Sequence, residues 1–203
     1  MQVIARGAEA ILYRKNNLLI KERIRKKYRI KQIDEKLRRN RTTLEASLLS
    51  HARRVGVPTP KIVKVDRDKC KIIMEFLPGT KLRDLIPTLP NNTLARICQE
   101  VGRSIGKLHK AGIIHGDLTT SNMIYYEGKV YFIDFGLGFF SRKIEDQGVD
   151  LKLLKDALKS THFKVLNVCW RNILKGYKEE YPKADLVIKR VEEIEKRGRY
   201  RKR

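Results

Sequence analysis

Short apolar runs separated by turn residues dominate the first 76 positions of the chain. Val3-Ile4, Ile11-Leu12-Tyr13 and Leu18-Leu19-Ile20 read as strands, and Asn16-Asn17 between the last two is a tight-hairpin signal. Over residues 34–55 the period changes. Leu37, Leu44, Leu48 and Val55 follow helical spacing, and Gly56 supplies a stop. After Pro58 and Pro60, Ile62-Val63 and residues 70–76 return to strand character, until Leu77-Pro78-Gly79 interrupts it. Beyond this break the pattern is mostly helical. Leu94, Ile97, Val101, Ile105 and Leu108 form one apolar face, with Asn91-Asn92 as a cap signal and Gly112 as the end. Two short strands, 122–125 and 129–133, flank a Glu127-Gly128 turn, and helices are expected around 149–159, 165–174 and 183–196. The pattern predicts an α+β chain with a small β-rich lobe (1–76), a helical lobe (77–195) and a tail (196–203).

Charge adds a second layer. Lys and Arg number 46 against 23 Asp and Glu, a net charge of +23. The excess is local: residues 21–41 hold eleven basic and three acidic residues, and residues 196–203 hold six basic and none acidic. These two segments account for 14 of the 23 charges and are expected to lie outside the reaction site, facing a polyanion. With 41% hydrophobic residues the chain can bury a core, which excludes a disordered polycation. No apolar run approaches the ~20 residues needed to span a bilayer, and the start has no long apolar signal region, so a cytoplasmic protein with no membrane partner is expected. Cys70, Cys98 and Cys169 are too dispersed for a zinc knuckle or a disulfide framework, and read as small buried hydrophobes in a reducing compartment.

The chemistry concentrates in His115-Gly116-Asp117-Leu118-Thr119-Thr120-Ser121-Asn122 and Ile133-Asp134-Phe135-Gly136. The first has the H-x-D-x-x-x-x-N spacing of a kinase catalytic loop, and the second is a D-F-G motif 17 residues after the first Asp. Phosphoryl transfer needs a carboxylate to orient or deprotonate a nucleophile, the role expected of Asp117. It also needs hard oxygen ligands to hold Mg²⁺ against phosphates, the role expected of Asn122 and Asp134. Upstream, Lys21 closes an apolar strand where a phosphate-binding lysine is expected, and Glu45 on the following helix can pair with it, with Glu35 as the other available acid. Glu75 and Leu77, just before the break, sit where main-chain groups would bind adenine. The phosphate-loop segment Gly7-Ala8-Glu9-Ala10 keeps only one glycine, and Glu9 needs a cation partner to be tolerated over phosphates. Only about eight residues separate Gly136 from the next helix, too few for a peptide-presenting activation segment. Ser141, the one hydroxyl there, is not expected to be a regulatory site, and helix capping accounts for Asp150 as well as a site role does.

These motifs resemble one family, the small atypical Bud-type kinases of the KEOPS complex. The likeness also runs through Ile20-Lys21-Glu22-Arg23, Lys27-Tyr28-Arg29, Asp34-Glu35-Lys36-Leu37, Gly56-Val57-Pro58-Thr59-Pro60 and Val149-Asp150-Leu151. The resemblance implies a kinase-like bilobal fold and an ATP- and Mg²⁺-dependent ATPase and weak Ser/Thr kinase. It implies a supporting role in threonylcarbamoylation of adenosine 37 in ANN-decoding tRNAs. Three partners are implied: a threonylcarbamoyl transferase subunit on the helical lobe, a small regulatory subunit on the β-rich lobe, and tRNA along the basic segment and tail. Three other readings share parts of the pattern. A small-molecule phosphotransferase also uses H-G-D but needs a larger pocket than the 67 residues after Gly136 can build. A RIO-type kinase would carry a serine- and glycine-rich phosphate loop, which is missing here. A tRNA-binding scaffold with a residual nucleotide pocket would have no need to keep the metal ligands.

Overall fold

The protein is described from a computed structural model covering the backbone of residues 1–200 and the side chains of residues 1–197. The N-terminal part forms strands β1 (Gln2–Arg6), β2 (Ala10–Lys15) and β3 (Leu18–Arg23), helix α1 (Lys31–Arg54), and strands β4 (Ile62–Asp66) and β5 (Lys71–Glu75). The five strands make one antiparallel sheet in the order β1-β2-β3-β5-β4. Asn16 takes φ 53°, which asparagine tolerates, and closes the two-residue turn between β2 and β3. β3 is therefore the central strand, and Lys21 is fixed between Leu12 on β2 and Ile72 on β5.

Helix α1 differs from its apolar spacing. Leu37, Leu44 and Val55 are exposed (39%, 38% and 38%), and of the expected face only Leu48 is buried. The face turned inward carries Asp34, Thr42, Glu45, Ala46, Leu48, Leu49 and Ala52. Ion pairs decide this rotation: Glu45 is buried because Lys21 and Arg23 of β3 meet it, and Asp34 because Arg38 of α1 itself and Arg29 of the preceding loop do, and that costs the exposure of two leucines. The second half of α1 gives Leu48, Leu49 and Ala52 to the main core, so this helix couples the sheet to the helical lobe.

After the Phe76–Gly79 connection come β6 (Thr80–Lys81), α2 (Leu82–Leu85), α3 (Asn91–Lys110), β7 (Ile113–Ile114), β8 (Met123–Tyr126), β9 (Lys129–Phe132), β10 (Phe139–Phe140), α4 (Ile144–Thr161), α5 (Leu166–Glu180) and α6 (Ala184–Tyr200). β6, β8 and β9 form a small sheet, and β10 pairs with β7. Three boundaries depart from expectation. Neither Asn91 nor Asn92 caps α3, because the Pro90 carbonyl already accepts the first helical bond from Leu94 N–H at 2.9 Å. α4 starts five residues before Val149, where Ser141 Oγ accepts from Lys143 N–H (3.1 Å) and donates to Asp146 (2.5 Å). α6 continues to Tyr200, so the expected tail begins as helix, with Arg197 bonded to Glu145 on α4 at 3.2 Å; its last residues, 201–203, lie outside the described residues. The three cysteines are all buried, but they are not all apart: Cys98 on α3 and Cys169 on α5 meet in the main core. Among the described residues no helix is long and apolar enough to cross a membrane.

Candidate active site

Strand alternation places Lys21 and Arg23 on the same face of β3, both buried. Lys21 Nζ donates to Glu45 Oε1 and to Asp134 Oδ1, each at 2.6 Å, while Arg23 Nη2 reaches Glu45 Oε2 at 2.5 Å. Glu45, not Glu35, is thus the partner of the strand lysine. It is one carboxylate shared by two cations. Burial lowers the Lys21 ammonium pKa, but the fields of Glu45 and then Asp134 outweigh it, so the pKa ends above its ordinary value. For Asp134, burial raises the carboxyl, yet Lys21 and the Gly136 N–H hold it below the usual carboxylate range. Both groups are charged across the neutral range.

The loop between β7 and β8 carries the other groups. Asn122 Nδ2 donates to Asp117 Oδ2 (2.7 Å) and to its carbonyl (3.0 Å), which fixes Asp117 from its own loop. Among the described residues, Asn122 Oδ1 and Asp134 Oδ2 accept no hydrogen bond. Two hard oxygens are therefore left for a cation, and among the described residues no group of three or more His, Cys, Asp or Glu side chains surrounds them. This donor set fits Mg²⁺, which takes few protein carboxylates and completes its shell with phosphate and water. Asp134 has φ 60°, a left-handed conformation rare for a side-chain-bearing residue and characteristic of functional strain.

His115 is buried against Phe135, with ring centroids 4.4 Å apart. Its Nε2 donates to the Ile133 carbonyl (3.2 Å), and its Nδ1 accepts from Asp117 N–H (3.3 Å), which requires a neutral ring. Burial, the largest influence, pushes its pKa below the ordinary histidine value and outweighs the nearby aspartates. The unfolded ring gains a proton near pH 6.5 while the folded ring stays neutral, so stability falls as pH drops through and below that value. Thermal denaturation from pH 8 to pH 5 is expected to show a midpoint that declines below about pH 6.5.

Asp150, which capping explained equally well in the sequence, is not a cap. It lies inside α4, fully buried, and accepts from His115 N–H and Gly116 N–H, both at 2.9 Å, with His109 Nε2 at 3.3 Å. It holds the backbone of the loop that carries Asp117. Gly116 itself has φ 79°, and a Cβ there would lie 2.3 Å from the Leu137 carbonyl. No side chain fits between the loop and the shortened segment that follows Gly136.

Two contiguous cavities meet at Ala5, Leu12, Lys21 and Asp134. The outer one, about 370 Å³, is lined by Gly7, Ala8, Glu9, Ala10, Arg23, Arg41 and Asp117. The inner one, about 320 Å³, is bounded by Leu19, Leu49, Met74, Glu75, Phe76, Leu77 and Ile133. Glu9 finds its cation: Arg41 on α1 bonds it at 3.0 Å and Arg29 lies at 3.9 Å. Lys26 also holds the Ala8 carbonyl. Gly7 is outside the left-handed region, and a Cβ there would meet nothing closer than 3.4 Å, so this loop is fixed by ion pairs rather than by glycine freedom. The Glu75 carboxylate accepts from Lys61 N–H (3.1 Å) and the Glu75 amide donates to the Lys61 carbonyl (2.9 Å), whereas the Leu77 amide bonds to no other described residue. The basic segment 21–41 is not outside the site, as its charge suggested, because Lys21, Arg23 and Arg41 line the cavity.

Sequence reading missed Arg23, Arg41 and the role of Asp150. Arg23 was readable from its i, i+2 relation to Lys21; the other two depend on contacts across 32 and 34–35 residues.

The RIO domain family matches residues 9–137, and a curated relative from Pyrococcus abyssi, "KEOPS complex subunit Bud32", is 48% identical over 100% of this chain and 98% of its own. The chain belongs to the RIO-domain family, on its Bud32 branch. The RIO kinship set aside on the phosphate loop therefore holds; the match begins at residue 9, past Gly7, where the loop departs most. A Methanothermobacter thermautotrophicus relative, "Probable bifunctional tRNA threonylcarbamoyladenosine biosynthesis protein", is also 48% identical. That alignment covers 98% of this chain, which spans only 36% of the longer relative. Among solved structures, the Rio2 kinase of Chaetomium thermophilum, in an ADP/Mg²⁺-phosphoaspartate complex, aligns with TM-score 0.64 at 16% identity, covering 100% of this chain and 72% of that one. The fold is thus the bilobal, kinase-like α+β architecture of the RIO and Bud32 kinases.

Proposed function

We propose that this chain is a Mg²⁺- and ATP-dependent phosphotransferase, an ATPase and weak Ser/Thr kinase, that supports threonylcarbamoylation of adenosine 37 in tRNA as a KEOPS subunit in the cytoplasm. The observation that carries the reading is the convergence of Lys21, Asp117 and Asp134 on one cavity, with Asn122 bonded to Asp117 behind it, together with full-length similarity to a KEOPS subunit. A scaffold with a residual pocket has no reason to keep two free hard oxygens beside a paired lysine.

In this reading the inner cavity takes adenine between Leu12, Leu19 and Met74, with the Glu75 and Leu77 main chain as its hydrogen-bonding edge. Lys21, aimed by Glu45, binds phosphate oxygens, and the 7–10 loop closes over them. Asn122 Oδ1 and Asp134 hold Mg²⁺, which supplies charge neutralisation to the phosphates. Asp117 orients the attacking water or hydroxyl and takes its proton. Gly116, Leu137 and the short segment after them leave no platform for an extended peptide, which favours water as the working acceptor.

Exposed side chains support this assignment of partners. Leu137, Phe139 and Phe140 beside the cleft, with Val149 and Leu153 on α4, present apolar side chains for the transferase subunit on the helical lobe. Ile30, Ile33, Leu37 and Leu44 offer the small regulatory subunit a second apolar face on the β-rich lobe. For tRNA, Arg25, Lys27, Lys31 and Lys36 are exposed and make no ion pair among the described residues, and the basic carboxyl end adds to them. The test is phosphate release from ATP with and without Mg²⁺, alone and with the transferase and an ANN-decoding tRNA. Slow Mg²⁺-dependent release that rises with both partners is expected; release indifferent to Mg²⁺ and partners would remove the reading.

A further inference from the structure

Outside the cleft, the buried groups that the proposed chemistry does not use include two thiols in the helical lobe. α3 and α5 approach unusually closely there. A Cβ on Gly102 would lie 2.0 Å from the Ile173 carbonyl, and one on Gly176 would lie 1.9 Å from the Gln99 carbonyl. The backbones touch, and the offset of 71 positions between Gly102 and Ile173 recurs between Gly106 and Tyr177. The helices therefore run side by side in one direction. One turn earlier, the same offset pairs Cys98 with Cys169.

We infer that Cys98 and Cys169, both free thiols in this structure, close under peroxide into an intramolecular disulfide that staples α3 to α5. A disulfide needs Cα atoms about 4.4–6.8 Å apart, and the backbone contact at Gly102, one turn away, brings α3 and α5 close enough for side chains at facing positions to meet. The two side chains share the main core and are 2% and 0% exposed, so neither is free to pair with another chain. The neighbouring Cys169 sulfur, and then burial, push the Cys98 thiol up. Cys70 lies in the sheet lobe, where its Sγ contacts the Arg67 carbonyl at 3.5 Å, and is no candidate for the bond.

Burial selects the oxidant. Hydrogen peroxide is close to water in size and can enter where a protein oxidase cannot. The Cys169 thiolate attacks one peroxide oxygen, the O–O bond breaks, and hydroxide leaves, giving a sulfenic acid. Cys98 sulfur then attacks the Cys169 sulfur as its thiol proton and the departing hydroxyl form water. Two thiols and one peroxide become one disulfide and two waters.

The test uses the full chain. Folded, reduced protein is treated with hydrogen peroxide, quenched with catalase, denatured and titrated for thiols. Three thiols are expected to fall to one, with a dithiothreitol-reversible cross-link joining the Cys98 and Cys169 peptides. The oxidised protein is expected to melt about 5–10 °C higher. In parallel, a Cys70→Ser variant is refolded with oxidised glutathione, so that the bond can form before the core closes. Cross-linking by either route supports the staple. Cys98 and Cys169 both recovered as free thiols after both routes, or recovered only as sulfinic or sulfonic acids, would overturn it.

Discussion

Asp150→Ala is expected to destabilise the protein by about 3–5 kcal/mol, the cost of breaking a fully buried, hydrogen-bonded charge cluster. Asp150 accepts two main-chain N–H groups at 2.9 Å, and its loss leaves His115 N–H and Gly116 N–H without partners in the protein interior. For a chain of this size the thermal midpoint should fall by roughly 10 °C. Asp150→Asn should be nearly as harmful, because one of its two groups becomes a donor facing a donor. Activity should fall further than the folded fraction, since these two amides belong to the loop that carries Asp117. Thermal denaturation of both variants, read beside ATP turnover of the folded protein, checks this. A midpoint unchanged within a degree or two would show that the loop is held by something else.

Asp117→Asn is expected to lower kcat for ATP turnover by about 10²–10⁴-fold, the usual contribution of a positioned general base. Its stability should barely change. The side chain is only part-buried, its one side-chain partner is Asn122 at 2.7 Å, and an amide can still accept that bond. Nucleotide binding should also survive, because the cavity, Lys21 and the metal oxygens are untouched. Loss of turnover with retained binding separates chemistry from assembly. Asp150→Ala should impair both.

These two residues mark where the sequence was legible. Asp117, Asn122 and Asp134 stand in a fixed local spacing, and local spacing survives without knowledge of the fold. Lys21 was legible from the apolar strand that precedes it. Glu45 could be narrowed only to two acids on one helix, because the rotation of α1 is set by ion pairs with the sheet rather than by its own leucines. That rotation also misled the expected apolar face, exposing Leu37 and Leu44. Asp150 was ambiguous because its partners are backbone amides, which no side-chain pattern announces. The phosphate loop looked poor for want of glycine, but Arg41, Arg29 and Lys26 supply by pairing what glycines supply elsewhere by flexibility. The charge excess misled in one respect. Part of the basic segment faces inward, as Lys21 and Arg23 on Glu45, and so serves the cleft rather than a polyanion.

The central claim is that Asp134 and Asn122 hold a metal against nucleotide phosphates in the cavity beside Lys21. Calorimetric titration of ATP, with Mg²⁺ and with EDTA, into the parent chain and an Asp134→Ala variant tests it directly. Mg²⁺ should tighten ATP binding at least about tenfold in the parent, equivalent to about 1.4 kcal/mol, and leave the variant unchanged. Equal Mg²⁺ dependence in the two proteins would contradict the account.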